Sequence, residues 1–179
     1  MKIAITGHTS GIGKAIYDYY SPNIIGFSRL TGFDISNPDH RKQIRDNSVD
    51  CDVFINNAYW EFAQIYMMYL MYDSWANTNK IIINIGSTSP DVVRSKPLVY
   101  QAIKAAVDKA SDQLSRLNTP CRVVNLRPGY VDTPMVSHIT DMPKMSVNSI
   151  VHCIDFIINS PQDLVVNSMT VLPRKREWQ

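Results

Sequence analysis

Apolar residues recur along this chain with two different spacings. Six short apolar runs are typical of buried strands, and the longer segments between them repeat apolar residues at helical spacing. The strand-like runs are 2–6, 23–28, 52–56, 80–85, 122–126 and 168–172, and the helical segments are 11–20, 38–47, 60–77, 97–117 and 147–158. This alternation of buried strands and helices predicts an α/β fold, a single doubly wound parallel sheet in a three-layer sandwich.

The segment 60–75, WEFAQIYMMYLMYDSW, is apolar almost all round. It is too short and too interrupted by polar residues to match the ~20 apolar residues of a membrane span. We therefore expect a helix that is buried on more than one side. One side would lie on the sheet, and another could lie on a second subunit.

Composition limits the class of partner and the location. The chain has 179 residues and a net charge of +2, which predicts one domain over residues 1–179 without a nucleic-acid or membrane partner. The short basic cluster 174–176 is typical of a solvated tail. Cys51, Cys121 and Cys153 have neither metal-ligand nor disulfide-framework spacing, so we expect no metal and a cytoplasmic location. We also expect no signal peptide, because a strand-like run begins at residue 2.

Residues 6–13, TGHTSGIG, join the first strand to the first helix and contain three glycines. Glycine permits the sharp turn and lets a ligand approach the backbone. The helix that follows offers free N–H groups and partial positive charge at its start, which suits a pyrophosphate. The alternative is a tight turn that binds nothing.

Four further motifs follow the glycine turn in order. They are Asn56-Asn57-Ala58; Ile83–Ser87; Tyr100 with Lys104; and Arg127–Thr133, RPGYVDT. Together with Gly-x-x-x-Gly-x-Gly, this order resembles the short-chain dehydrogenase/reductase family across nearly the whole chain. Tyr59, which follows the first of these motifs, stands where that family usually has glycine. The resemblance implies a Rossmann-type NAD(P)-binding domain that transfers hydride between nicotinamide and a carbonyl or alcohol substrate.

The resemblance implies that Ser87, Tyr100 and Lys104 are catalytic. Tyr100 and Lys104 share a helix face at i, i+4 spacing. A neighbouring ammonium favours the phenolate, so we expect Lys104, helped by the positive nicotinamide ring, to lower the pKa of Tyr100 toward neutrality, which takes about 4 kcal/mol. Tyr100 would then exchange a proton with the substrate oxygen, and Ser87 would hold that oxygen by a hydrogen bond.

The same resemblance, with the residue types, gives a set of cofactor-binding residues. They are Gly7, Thr9, Ser10, Gly11, Ile12, Gly13, Ser28, Arg29, Asp34, Asn57, Ala58, Tyr100, Lys104, Pro128, Gly129, Val131 and Thr133. The second strand ends in Ser28-Arg29 rather than in an acid that would bind ribose hydroxyls. Because a guanidinium binds phosphate well, NADP(H) is favoured over NAD(H). A solvated surface arginine is the alternative.

Three departures from the family's pattern affect the interpretation. Only four residues separate Arg29 from Asp34, so the helix that the family places between its second and third strands must be missing. Either the strand at Phe33 is vestigial or that edge of the sheet is rebuilt. Residues 60–75 lack the asparagine of the family's proton relay, and Asn77 lies at the helix end. The third departure is the short segment after Thr133, through Met145, where the family usually has its substrate lid. Here this segment is either a small apolar cover or a plain surface loop.

These features leave three functional hypotheses. The first is a compact NADP-dependent oxidoreductase acting on a small carbonyl or alcohol. The second is a non-catalytic NADP-binding sensor or partner-binding module, suggested by the trimmed edge and the missing asparagine. Epimerisation of a sugar nucleotide ranks last, because the C-terminal part is short. We also expect a homodimer or homotetramer formed through helices 60–77 and 97–117.

Overall fold

The computed structural model describes residues 1–93, 95–161 and 163–174, so residues 175 and 176 of the basic cluster lie outside the described residues. Strands and helices alternate as the sequence predicts. The strands are β1 (Ile3–Thr6), β2 (Ile24–Phe27), β3 (Val53–Asn56), β4 (Ile81–Ile85), β5 (Arg122–Pro128) and β6 (Ser168–Val171). The helices are α1 (Gly11–Tyr20), α2 (Pro38–Asn47), α3 (Ala63–Trp75), α4 (Val99–Ser115) and α5 (Val147–Ile158).

The six strands form one sheet in the order β2-β1-β3-β4-β5-β6, and every pair is parallel. Consecutive side chains of a strand point to opposite faces, so each of the strands β1 to β5 contributes to two apolar layers. On one face Ile5 and Val124 pack with Ile16 of α1 and Ile154 of α5. The other face packs against α2, α3 and α4. The predicted doubly wound α/β fold with three layers is therefore confirmed.

The short link after β2 forms no crossover helix. Arg29–Thr31 is a single 3-10 turn that ends at Gly32, where φ is +88°. Residues 28–37, all described, contain no strand, so the strand expected at Phe33 is vestigial and β2 is the edge of the sheet. The helix that the family places between its second and third strands, here between β2 and the vestigial strand at Phe33, is thus missing. Helix α2, predicted at 38–47, follows this vestigial strand and connects β2 to β3.

Helix α3 is buried over most of its surface, as its apolar sequence predicts. Met68 and Trp75 are almost completely inaccessible, whereas Tyr66 is 58% exposed. The hydroxyl groups of Tyr69 and Tyr72 bond to side chains in and just after α4, so the chain's own helices cover much of α3. Over the described residues, none of the helices combines the length and apolar character needed to cross a membrane.

A row of three asparagines crosses the sheet at its carboxyl end. Asn56, Asn84 and Asn125 are aligned in register on β3, β4 and β5, and all three are buried. Asn56 Nδ2 donates to Asn84 Oδ1 at 2.9 Å, and Asn84 Nδ2 donates to Ser111 of α4 at 3.2 Å. Asn125 Nδ2 donates to Asp108, also on α4, at 2.8 Å. This asparagine row joins the sheet to the helices that carry the candidate site.

Candidate functional site

The glycine-rich turn between β1 and α1 has the backbone geometry of an anion site. Gly7 and Gly11 have φ of +74° and +53°, a region that disfavours side chains. Ser10 is the N-cap residue of α1, but its side chain makes no capping hydrogen bond. The first N–H groups of the helix are therefore left for a ligand, and the helix dipole favours a negative one.

Gly13 has a packing role in this turn. A Cβ at this position would lie 2.1 Å from the carbonyl oxygen of Gly7 and 2.6 Å from Asn57 Nδ2. Backbone atoms cannot move aside as a flexible side chain can, so only glycine lets α1 approach the end of β1 this closely. Gly13 is not among the residues that line the neighbouring cleft.

A cleft of about 760 Å³ opens above the glycine turn, within the range of small-molecule sites. Eleven of the predicted cofactor-binding residues line it: Gly7, Thr9, Ser10, Gly11, Ile12, Ser28, Arg29, Asp34, Asn57, Ala58 and Thr133. The lining lacks six others, Gly13, Tyr100, Lys104, Pro128, Gly129 and Val131. The turn, the cleft volume and the free helix N-terminus together fit a dinucleotide.

The floor of the cleft is fixed by hydrogen bonds between β1 and the end of β3. Asn57 Nδ2 donates to the carbonyl oxygens of Thr6 and Gly7 at 3.0 and 3.2 Å. The backbone N–H groups of Asn57 and Ala58 both donate to Thr6 Oγ1. The Asn-Asn-Ala motif thus holds the glycine turn in place, and Asn57 and Ala58 also line the cleft.

The mouth of the cleft, near the end of β2, carries a cation and an anion. The Arg29 guanidinium lies 6.0 Å from the ring centroid of Trp60. Hydrogen bonds from Ser36 lower the pKa of Asp34, and the charge of Arg29 lowers it further by a smaller amount. Ser28 is buried, and its hydroxyl oxygen lies 3.4 Å from Thr31 Oγ1. A phosphate in this region would therefore meet Arg29 as its positive partner.

The predicted catalytic residues come together beside the cleft. Ser87 follows β4, and its side chain faces the phenol of Tyr100 on the first turn of α4, while its hydroxyl oxygen accepts from the backbone N–H of Ser89 at 3.0 Å. Burial is the largest effect on Tyr100 and raises the pKa of its phenol, although the nearby Ser87 hydroxyl lowers it. In the protein without a nucleotide desolvation dominates, so the lowering expected from Lys104 together with the nicotinamide ring stays a prediction.

Lys104 is one turn further along α4 and is only 3% exposed. Its ammonium donates to Gln64 Oε1 at 2.9 Å and to the carbonyl oxygen of Ile85 at 2.8 Å. It lies 5.4 Å from the ring centroid of Tyr59 and 5.8 Å from that of Tyr100. Burial lowers the pKa of Lys104 to about 8, and the nearby Asp108 carboxylate opposes this change.

Tyr59 separates the cleft from the catalytic group. Its ring lines the cleft and makes an edge contact with the Tyr100 ring, with centroids 5.0 Å apart. Ser87, Tyr100 and Lys104 are absent from the described lining. The sequence shows Tyr59 only as a departure from the usual glycine, because its position over Lys104 depends on the packing of α4.

Gln64 is the other site residue that the sequence does not reveal. It lies in the first turn of α3, is completely buried and contacts Lys104 directly. One amide in a mostly apolar helix is a visible signal, but the sequence alone indicates only an interruption of the apolar surface. The carbonyl oxygen that bonds the ammonium therefore comes from a glutamine near the start of the helix, in the segment where the family's asparagine is missing.

An ion-pair network fixes the segment after Ser87. The guanidinium of Arg127 on β5 donates to both carboxylate oxygens of Asp91 at 2.7 and 2.8 Å. Its Nε donates to Asp108 of α4 at 3.1 Å. Thr88 N–H donates to the carbonyl oxygen of Pro128. This network joins β5, α4 and the residues next to Ser87 into one unit.

The segment after β5 partly covers the cleft. Thr133 lies beside Gly11, and Pro134 and Met135 of a 3-10 turn (Pro134–Val136) complete the lining. Met142 instead lines a second cavity of about 480 Å³. The predicted apolar cover is thus formed by its first residues, whereas Gly129 packs against the strand end at Leu172 and Pro173.

Comparisons with known proteins agree with this architecture. No protein-family model matches the chain. An uncharacterized oxidoreductase of Staphylococcus aureus is 31% identical over 96 residues, which is 51% of this chain and 42% of that relative. The chain thus matches less than half of the relative's length. In the described part of the chain there is no group of three or more His, Cys, Asp or Glu residues that could hold a metal ion.

Solved structures match over almost the whole chain. A 3-ketoacyl-(acyl-carrier-protein) reductase from Brucella melitensis in complex with NADH has a TM-score of 0.82 at 17% identity, covering 96% of each chain. A serine dehydrogenase in complex with NADP+ has a TM-score of 0.80 at 17% identity, covering 96% and 94%. A short-chain dehydrogenase/reductase from B. melitensis has a TM-score of 0.76 at 17% identity, covering 96% and 94%.

The chain has the fold of the short-chain dehydrogenases/reductases. The sequence resemblance is therefore confirmed at the level of the fold. Within this short-chain dehydrogenase fold, the glycine turn and the Ser87–Tyr100 pair lie near the carboxyl ends of β1 and β4. Ligands of open α/β sheets bind at the carboxyl ends of the strands.

Proposed function

We propose that the chain is an NADP(H)-dependent oxidoreductase of the short-chain dehydrogenase/reductase type. One observation carries the proposal: Ser87 and Tyr100 face each other, with Lys104 one turn away, next to a nucleotide-sized cleft. The substrate would be a small molecule with a carbonyl or alcohol group. When bound, the nicotinamide supplies or accepts the hydride.

Each residue of the catalytic group has a distinct role in this proposal. Ser87 orients the substrate oxygen through its hydroxyl. Tyr100, whose pKa is raised by burial, is protonated at neutral pH and donates its proton to that oxygen during reduction. The ammonium of Lys104 stabilises the phenolate that remains. Such acid–base catalysis is worth about 10² to 10⁴ in rate.

The preference for NADP(H) over NAD(H) rests on Arg29. Its guanidinium lies at the mouth of the cleft, where a 2′-phosphate would form a charge-assisted hydrogen bond. Asp34 lies in the same region and its pKa is lowered, so it would repel a phosphate placed beside it. The proposal therefore puts the phosphate on the Arg29 side of the mouth and the adenosine hydroxyl or amino groups nearer Asp34.

The first experiment is a calorimetric titration of the purified protein with NADPH and with NADH. Tight binding of NADPH and weak binding of NADH supports the role of Arg29, and the opposite order overturns it. Turnover of NADPH is then measured with a panel of carbonyl compounds. Tyr100→Phe should lower turnover at least 100-fold, whereas the exposed Tyr19→Phe should not. Full activity of Tyr100→Phe would refute the assigned proton donor.

A non-catalytic nucleotide-binding module is the second candidate function. The position of Tyr59 favours it, because this ring lies between the cleft and Lys104. In a sensor, a nucleotide would fill the cleft without reaching Tyr100. Tight nucleotide binding without turnover in the carbonyl panel, for the natural protein and for Tyr59→Gly alike, would favour this second function.

We also propose that the protein forms a homodimer or homotetramer through α3 and α4. Tyr66 is exposed on α3 and has the Arg41 guanidinium 5.4 Å from its ring centroid. Sedimentation at micromolar concentration should show a dimer or tetramer, and Tyr66→Glu should shift it toward the monomer. A monomeric natural protein would refute the proposal.

A further inference from the structure

Gln64 is held from several directions at the start of α3. Its Nε2 donates to the carbonyl oxygens of Asn56 and Ile85 at 2.9 and 3.0 Å. Its own backbone carbonyl accepts from Asn56 Nδ2 at 2.8 Å. The side chain is completely buried, so it is fixed at both ends in a site without competing water.

These contacts determine which way the amide points. A backbone carbonyl can only accept a hydrogen bond, so the group facing Asn56 and Ile85 must be the NH₂ group of Gln64. A lysine ammonium can only donate, so the group facing Lys104 must be Oε1. The two requirements agree, and a rotated amide would lose all three hydrogen bonds.

The arrangement leaves Lys104 with limited freedom. An ammonium has three N–H donors, and two of them are taken by Gln64 Oε1 and the Ile85 carbonyl oxygen. The rings of Tyr59 and Tyr100 flank the same nitrogen.

We propose that Gln64 is a positioning residue that holds the ammonium of Lys104 beside Tyr100 and keeps it charged in a buried site. The proposal rests on the function proposed above and goes beyond it by assigning a determinant of the state of Lys104. A neutral acceptor is suited to this role. An apolar residue would leave the ammonium short of one partner, and a carboxylate would bind it more tightly and neutralise the charge near Tyr100.

The charged and titratable groups around Lys104 define what else acts on it. Asp108 lies one turn along the same helix and favours the ammonium. Tyr100 faces it from α4, and Tyr59 faces it from the segment after β3. The Ile85 carbonyl of β4 is a neutral acceptor. Gln64 is therefore the contact from α3 that a substitution can convert from a neutral acceptor into a negative one.

The experiment measures the state of Lys104 directly, in the protein without nucleotide. The lysine side chains are labelled with ¹³C at Cε, and the Lys104 signal, assigned by its loss in Lys104→Met, is followed from pH 6 to 11. Gln64→Glu should raise the pKa of Lys104 by about 1–3. Gln64→Met, of similar volume, should lower this pKa. Gln113→Met removes an exposed glutamine of α4 that accepts from Tyr69, and it should leave the pKa of Lys104 unchanged.

A shift upward in Gln64→Glu, with Gln113→Met unchanged, supports the positioning role. An unchanged pKa in Gln64→Glu overturns it, and this variant decides the matter if Gln64→Met does not fold. Because the titration needs neither nucleotide nor substrate, it is independent of the proposed activity. If the natural protein turns over no compound of the carbonyl panel while Lys104 responds to Gln64, the proposed function fails and the positioning role remains.

Discussion

The buried ammonium of Lys104 predicts an unusual dependence of stability on pH. Burial lowers the pKa of Lys104 from the usual 10.5 to about 8 in the folded protein. Above pH 8 the folded protein loses this proton, while the unfolded chain keeps it up to about pH 10.5. The unfolded state then binds more protons, so the contribution of Lys104 to the free energy of unfolding rises with pH across this window.

The size of the effect follows from the two pKa values. Their difference, 10.5 − 8 = 2.5, corresponds to about 3 kcal/mol at 1.36 kcal/mol per pKa unit. Lys104 thus destabilises the fold by about 3 kcal/mol at pH 7, and most of this is recovered by pH 10. Lys104→Met removes the titrating group, so groups that do not interact with Lys104 cancel when its unfolding free energy is subtracted from that of the natural protein.

The measurement is urea unfolding of the natural protein and Lys104→Met at pH 7, 8, 9 and 10, followed by circular dichroism. The natural protein should gain about 2–3 kcal/mol relative to the variant between pH 7 and pH 10. Lys109→Met, in which an exposed lysine of the same helix is replaced, is the control for removing a lysine. A difference between the natural protein and Lys104→Met that stays constant over this range would refute the reasoning.

Three further predictions concern the glycine turn, the cleft mouth and the segment before Ser87. Gly13→Ala should destabilise the protein by about 3 kcal/mol, because its Cβ would meet backbone at 2.1 Å. Gly32→Ala should cost only about 1–2 kcal/mol for its positive φ. A melting temperature of Gly32→Ala below that of Gly13→Ala would contradict this. Arg29→Ala should weaken NADPH binding at least tenfold and NADH binding less than threefold, as measured by calorimetry. Gly86→Ala places a Cβ 2.5 Å from Asn125 Oδ1, so it should destabilise by about 1–3 kcal/mol and reduce turnover; unchanged melting and turnover would count against the contact.

Most of the fold can be predicted from the sequence because its elements have clear periods and ends. The helices predicted at 11–20, 38–47 and 147–158 have the observed bounds, and each predicted strand overlaps an observed one. The longer predictions, 60–77 and 97–117, extend two or three residues beyond α3 and two beyond α4 at either end. Helical spacing of apolar residues continues into these flanking segments, although the backbone has already left the helix.

The site is predicted less completely, because its energetics depend on burial. The i, i+4 spacing of Tyr100 and Lys104 places them on one face, but it does not reveal that burial raises the pKa of the Tyr100 phenol. Gln64 meets Lys104 across 40 residues of chain. Such a contact depends on how α3 and α4 pack on the sheet, and no local pattern contains that information.

The asparagine row has a consequence for how the sheet assembles. Asn56 and Asn84 are partners at one register of β3 and β4, and their neighbours on these strands are isoleucines. A shift of one residue would turn one asparagine toward the opposite, wholly apolar layer and leave its amide without a partner, at a cost of about 1–3 kcal/mol. The same row that supports the candidate site therefore also selects the correct alignment during folding, so substituting these asparagines by leucine should yield misaligned, aggregation-prone sheets even where the total apolar burial increases.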